Sequence, residues 1–390
     1  MGEAPGRLDF IGGVADYSGS LVLEMPLSRT TRVTLTETGG RELIFTSNRE
    51  GTCAVIPGAP PEEVPKWVRY PYGCFALFCQ TWRWRPRTGL RFTIRSQVPA
   101  SMGVSSSAAL EVATLRALEK LTGRRFSGTG LAHLAQRAEN EIVGAPCGLM
   151  DQLASAYGVR GALLPILCRP DLLGRPVRLP SGVVAIGWPS GVKHAVTGSP
   201  YADARAGAFM GRKLVEEGTG RRLAHAAELA PSELRSFSAQ VLPAAITGRQ
   251  FLARHGGVAD PLSKIVPGKT YAVRAAVSFP VEENFRAQAA LALLRGMAAK
   301  PAEESLTALG ELLFQSHAGY SSIGLGRPET DDMVAAVRAR GPSRGFYGAR
   351  VSGGGCGGTV VVLLRKSALP ELRRLAERMR FGTESPGLIQ

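Results

Sequence analysis

The sequence predicts an α+β fold built in two lobes. Three observations carry that expectation. Short apolar runs suited to strands fill the first hundred residues, helix-period segments follow from residue 108, and a second mixed set ends in the wholly apolar run Val360 to Leu364. Strands first, then helices, then a further mixed set is the order expected of α+β architecture. The early strand-like runs are Leu21 to Leu23, Thr30 to Leu35, Leu43 to Thr46 and Leu90 to Ile94. From Ala108 to Leu121, residues 110, 113, 114, 117, 118 and 121, all apolar but Thr114, repeat with a helical period. Leu131 to Val143 repeats that pattern behind Thr129, a candidate N-cap, and Gly144-Ala145-Pro146 ends it. Met150 to Tyr157 starts another helix. Gly182 to Trp188 reads as a strand after a Pro-rich join, which puts a soft boundary near residue 180, with lobes at 1–180 and 181–390. Residues 202–252, Glu282 to Lys300 and Leu306 to His317 are expected to be helical.

Composition excludes several classes. The 390 residues are 44% hydrophobic and 20% charged, which does not suit a disordered chain. The net charge of +15 comes from 39 Arg against 8 Lys, and charge of that sign first suggests nucleic acid. The arginines are scattered, however, with no run of five or six, so no basic arm is present and no nucleic-acid partner is expected. No apolar stretch reaches 18 residues without a charge, and the N-terminus lacks a signal-peptide pattern. No membrane partner is expected, and a cytoplasmic protein is. The six cysteines form no CxxC and no Cys/His ligand spacing, so they are expected to be reduced thiols.

Three segments carry possible chemistry. Pro99 to Ala108 contains Gly103 and Ser105-Ser106-Ser107 and runs into a helix. A helix start offers unpaired N–H groups and the positive end of the dipole to a phosphate, and serine adds donors or a Mg²⁺ ligand. An ordinary serine N-cap gives the same string. Gly348 to Thr359 places five glycines in six positions between apolar segments, which favours a tight turn or a close approach over a flexible linker. Ala4 to Gly19 sets Arg7 and Asp16 among glycines, with no periodic face, and alone reads as a surface loop with solvated charges.

Taken together and in order, these segments resemble the signature of the GHMP kinases. Glu139 to Gln152, containing Gly144-Ala-Pro-Cys-Gly148 and Asp151, resembles the segment that carries the catalytic aspartate in the galactokinase subgroup. The resemblance implies a two-lobed kinase with its active-site cleft between an N-terminal and a C-terminal lobe. It implies ATP and Mg²⁺, and transfer of a phosphoryl group to the anomeric hydroxyl of a monosaccharide. Asp151 would orient that hydroxyl and accept its proton late, because a guanidinium and a helix N-terminus beside it make it a weak base. Arg7 would stabilise charge on the γ-phosphate. Gly103, Ser105, Ser106 and Ser107 would bind ATP, and Glu139 with Ser106 or Ser107 would hold Mg²⁺. Asp16, Gly148, Tyr201, Gly13 and Val14 would face the sugar.

Galactokinases usually read Gly-Glu-His-Thr-Asp-Tyr in the opening motif, where this chain has Gly12-Gly13-Val14-Ala15-Asp16-Tyr17. The Glu and His positions hold the C6 hydroxyl side of galactose in that subgroup. L-Arabinose has galactose's ring stereochemistry without the C6 hydroxymethyl group, so losing those polar groups suits a pentose. The stretch Ala4 to Pro26, Gly191 to His194 with Tyr201, Gly207 to Lys213 and Glu282 to Arg286 resemble plant L-arabinokinases. Phe279 stands where galactokinases often have His. The phosphate loop departs from the family pattern at Ser101-Met102, where glycines are preferred. A kinase for galactose or another sugar is the alternative, and a non-catalytic sugar sensor is the rival from another class.

Overall fold

The computed structural model describes residues 1–169, 171–192, 199–297, 302–379 and 387–390. Lys193 and His194 of the quoted segment lie outside the described residues, as do the last residues expected of the helix ending at Lys300. The chain forms two compact units. One comprises residues 1–7, 26–100 and 104–160, and the other residues 8–25, 101–103 and 161–390. No helix among the described residues is long and apolar enough to cross a membrane.

In the first unit, the end of strand Leu21–Thr38 pairs antiparallel with Gly89–Ser96, from Thr31 opposite Ser96 to Thr38 opposite Gly89. Leu43–Ser47 lies parallel to the other side of Gly89–Ser96 and antiparallel to Gly51–Val55. Alternation sends Val33, Phe45 and Phe92 into the core, where the Phe45 and Phe92 rings stack at 4.6 Å. Helices Lys66–Trp82 and Ser106–Thr122 pack into the same core through Val68, Tyr72, Phe75, Val112 and Leu115.

In the second unit, Thr359–Arg365 is the middle of a three-stranded antiparallel sheet, flanked by Phe346–Val351 and Val183–Pro189. Its strand is almost wholly buried, which explains the unbroken apolar run. Helix Glu303–Ser322 lies on the strand Phe346–Val351 with no room between backbones. A Cβ on Gly310 would overlap the Tyr347 carbonyl, and one on Gly348 would overlap Gly310. Gly348→Ala should therefore lower the melting temperature by at least about 5 °C in a thermal melt, since the obstacle is backbone and cannot rotate away.

Several expectations change. The runs at Leu21 and Thr30 form one 18-residue strand, Leu21–Thr38. Leu21–Glu24 pairs with Leu164–Leu167 and Thr31–Thr38 with Gly89–Ser96, so Pro26 interrupts neither of these two ladders; the strand Gly2–Ile11 pairs with the same strand. The helix expected over Leu131 to Val143 is α-helical over Gly130–Arg137 and becomes a π-helical turn over Ala138–Val143. Thr129 stands at its N-cap without a side-chain cap bond. Residues 202–252 divide into helices Ser199–Thr219, Pro231–Val241 and Gly248–His255. The helix expected from Glu282 begins at Val273 and carries Pro280 inside it. Ala4 to Gly19 is not a surface loop: it is strand Gly2–Ile11 followed by a 3₁₀ turn, Gly13–Ser18, and Arg7, Asp9 and Asp16 are all buried. All six cysteines are free thiols.

Candidate active site

Arg7 lies on strand Gly2–Ile11, and its backbone N–H donates to the Val104 carbonyl at 3.1 Å, tying the strand to the loop ahead of helix Ser106–Thr122. Its Nε and Nη2 both donate to Asp151 Oδ1, at 2.9 and 2.7 Å. Asp151 occupies the first turn of helix Met150–Tyr157, where the helix dipole favours an anion. Arg7's side chain is 3% exposed and Asp151's 23%. The guanidinium is thus fixed in the protein while the carboxylate keeps a face that a substrate can reach.

Glu139 is the second residue of the π-helical turn Ala138–Val143 and is buried. The Gln152 amide nitrogen donates to Glu139 Oε2 at 2.8 Å and to Glu111 Oε2 at 3.1 Å. Burial and the nearby Asp151 charge push Glu139 up to about 7. Burial and then Glu139 push Glu111 well above the usual carboxylate range. Two carboxyl groups this close cannot both carry full charge without a cation. The Ser107 side chain lies near enough to Glu139 to favour its charged form, and Ser105 Oγ is buried with no hydrogen-bond partner. A carboxylate, a serine hydroxyl and an orphaned hydroxyl are hard oxygen donors, and Mg²⁺ takes one or two carboxylates and completes its shell with phosphates and water. Glu139 with Ser107 therefore fits Mg²⁺. Ser106 opens the helix and is half-buried, as is Gly148, two residues before helix Met150–Tyr157. Among the described residues there is no group of three His, Cys, Asp or Glu that could hold a metal, so a Mg²⁺ held by Glu139 and the serines would take its other ligands from substrate and solvent.

The loop backbone is strained where the glycine segments lie. Of four non-glycine residues at positive φ among the described residues, three are Ser101, Ser105 and Cys356. In the second unit Gly103 backs onto the glycine-rich turn. A Cβ on Gly103 would lie 3.2 Å from the Ser352 carbonyl, and one on Gly358 would lie 3.0 Å from that of Met102. Thr359 Oγ1 donates to the Met102 carbonyl at 2.7 Å. The turn therefore shapes the loop end at Met102–Gly103.

The remaining residues expected at the sugar lie in the second unit. Asp16 is buried, and its Oδ1 accepts from the Tyr17 N–H at 2.6 Å. Tyr17 meets Tyr201 edge-on at 6.2 Å, and the Arg205 guanidinium sits 5.1 Å from the Tyr17 ring centre while gripping Asp260 at 2.8 and 3.0 Å. Asp16 thus lies beside an aromatic wall stiffened by a buried ion pair. Val14 packs with Tyr201, Phe279 and Tyr320, and its N–H donates to Tyr320 Oη at 3.0 Å. Gly13 has φ +50° and is buried.

Two models of known families match the chain: the GHMP kinases N terminal domain over residues 69–159, and the GHMP kinases C terminal over residues 291–380. A galactokinase of Chloroflexus aggregans is 32% identical over 95% of this chain and 85% of its own length. The chain belongs to the GHMP kinase family. Among its sugar kinases, the L-arabinokinase of Arabidopsis thaliana is 31% identical over 98% of this chain, which spans 44% of that protein's length. A galactokinase of Mycobacterium tuberculosis is 34% identical over 93% of the chain and 88% of its own. The GHMP fold is shared with Lactococcus lactis galactokinase crystallised with galactose, at a TM-score of 0.78 and 21% identity over 97% of this chain and 89% of that one. Methanococcus jannaschii mevalonate kinase matches at 0.60 and 17% identity, over 96% and 94%.

Glu111, Gln152 and Tyr70 were not expected at the candidate site. Tyr70, on helix Lys66–Trp82, has its hydroxyl pushed upward by burial and then by the charges of Glu139 and Glu111. Glu111 had a sequence signal: it is a charge on the buried face of helix Ser106–Thr122, between Ala108 and Leu115.

Proposed function

We propose that this GHMP kinase transfers the γ-phosphoryl group of ATP to the anomeric hydroxyl of L-arabinose, giving L-arabinose 1-phosphate and ADP. Phosphoryl transfer is loose, so positioning and charge neutralisation supply most of the acceleration. The anomeric oxygen forms a bond to the γ-phosphorus, the bond to the β–γ bridging oxygen breaks, and ADP leaves with that electron pair. Asp151 holds the hydroxyl by accepting its hydrogen bond and takes the proton late. Arg7 fixes Asp151 and meets the charge on the transferred group. The first N–H groups of helix Ser106–Thr122, with Gly103 and Ser105 to Ser107, receive the phosphates. Glu139 and Ser107, or Ser106, would hold Mg²⁺, which when bound neutralises charge on the β- and γ-phosphate oxygens. Asp16, Gly148 and Tyr201 contact the sugar hydroxyls.

The observation that carries the choice of sugar is at Gly13 and Val14. One has no side chain and the other packs in an apolar cluster, so neither offers a partner to a C6 hydroxyl. A polar group buried without a partner costs affinity, and this favours the sugar lacking it. Several galactokinases share about a third of their residues with this chain, so galactose is the competitor to measure. A coupled ADP-release assay across free sugars should give kcat/KM for L-arabinose at least about tenfold above D-galactose. A galactose preference removes the pentose reading. ATP binding without turnover of any sugar would instead mark a sensor.

A further inference from the structure

Position 13 is surrounded by a polar cluster assembled from far along the chain. Asp9 and Arg350 are fully buried, with Arg350 Nη1 2.9 Å from Asp9 Oδ1. Asp9 Oδ1 also accepts from the Gly13 N–H and Oδ2 from the Gly353 N–H, each at 3.1 Å. Tyr320 Oη donates to the Gly353 carbonyl at 2.7 Å and accepts from the Val14 N–H. The Arg350 guanidinium lies 4.9 Å from the Tyr320 ring centre. A Cβ on Gly13 would overlap the Tyr320 hydroxyl and would lie 2.7 Å from Asp9 Oδ2 and 2.9 Å from Arg350 Nη2.

Two constraints follow, one of space and one of charge. Tyr320 Oη holds two hydrogen bonds, so it cannot swing away without orphaning a buried N–H and a carbonyl. The cluster already balances one guanidinium with one carboxylate. The next acid, Glu283, is committed to Arg286 at 2.7 Å and to the Gly12 N–H at 3.1 Å. An acidic side chain added at 13 would be a second carboxylate on the one guanidinium of Arg350, and the buried negative charge in excess costs several kcal/mol.

We propose that Asp9, Tyr320 and Arg350 are positioning residues that lock residue 13 as glycine, and that they set sugar preference through it. A side chain able to bind a sugar's exocyclic hydroxymethyl cannot be accepted at 13 until the Tyr320 hydroxyl is removed and the Asp9 charge is moved. This rests on the reading above that Gly13 faces the sugar.

The test has two arms. Thermal melts of wild type, Gly13→Ala, Tyr320→Phe and the double variant form a cycle. Gly13→Ala should cost at least twice as many degrees in the wild-type background as in Tyr320→Phe, and equal costs overturn the lock. The second arm moves the carboxylate from residue 9 to residue 13. Gly13→Glu alone should be unfolded or inactive on both sugars. Asp9→Asn/Gly13→Glu/Tyr320→Phe should melt higher than Gly13→Glu, and its ratio of kcat/KM for L-arabinose over D-galactose should fall at least about tenfold, through a lower KM for galactose. A Gly13→Glu variant that folds and shifts preference by itself overturns the proposal. So does a triple variant that melts no higher than Gly13→Glu, or one that folds with the wild-type ratio. A wild type that prefers galactose counts against the pentose reading and leaves the melt cycle standing on its own.

Discussion

Asp151→Asn should lower kcat by at least about 1,000-fold, with a melting temperature within a few degrees of wild type. Asn keeps the shape and an oxygen acceptor for Arg7, whose Nε and Nη2 both aim at Asp151 Oδ1. What is lost is the negative charge that, in the proposed reaction, holds the sugar hydroxyl and takes its proton. Asn is preferable to Ala here, because Arg7's side chain is 3% exposed and truncation would leave it buried without a partner. Single-turnover rates measured beside a thermal melt separate chemistry from folding. Wild-type-like turnover in this variant would remove Asp151 from the reaction.

Asp9→Ala should be among the most destabilising single changes in the chain. It leaves Arg350, which is 0% exposed, without its carboxylate. It also orphans the Gly13 and Gly353 N–H groups. Breaking one side of a buried pair costs about 3–5 kcal/mol, or on the order of 10 °C in a domain of a few hundred residues. Asp9→Ala combined with Arg350→Met should recover part of that loss, because the uncompensated charge is gone. Thermal melts of both variants give the answer, and an Asp9→Ala protein that melts with wild type would mean the pair contributes nothing.

The fold was most legible where one periodicity dominated. Helix Ser106–Thr122 and strand Thr359–Arg365 lie within two residues of their expected ends, because an apolar stripe or run fixes the element locally. Helix Lys66–Trp82 was missed because Pro71 interrupts its pattern, and the start of Val273–Gly296 because Pro280 does. Both prolines are accommodated by burial, which a local reading does not weigh. The opening motif misled for another reason. Its glycines and charges are those of a loop, yet Arg7 and Asp9 are paid for by partners at 151 and 350.

The candidate site divides the same way. Asp151, Arg7, Glu139 and the serines could be named because ordered motifs resembled a family, and the structure pairs Arg7 with Asp151 and brings Ser107 near Glu139. Gln152 stood in the quoted segment, but its bridge to Glu111 joins residues on two helices. The cluster around Gly13 joins residues more than 300 positions apart. No local pattern announces Tyr320 as the group that fills the space beside a glycine.

The most direct test is a competition. An equimolar mixture of L-arabinose and D-galactose, both ¹³C-labelled at C1, is incubated with the enzyme, Mg²⁺ and limiting ATP, and the products are read by ¹³C and ³¹P NMR. The product ratio then equals the ratio of kcat/KM values. The expected result is phosphorus coupling at C1 of arabinose, one ADP per phosphorylated sugar and arabinose 1-phosphate in at least about tenfold excess. Galactose 1-phosphate in excess, or phosphate on any carbon other than C1, would contradict it.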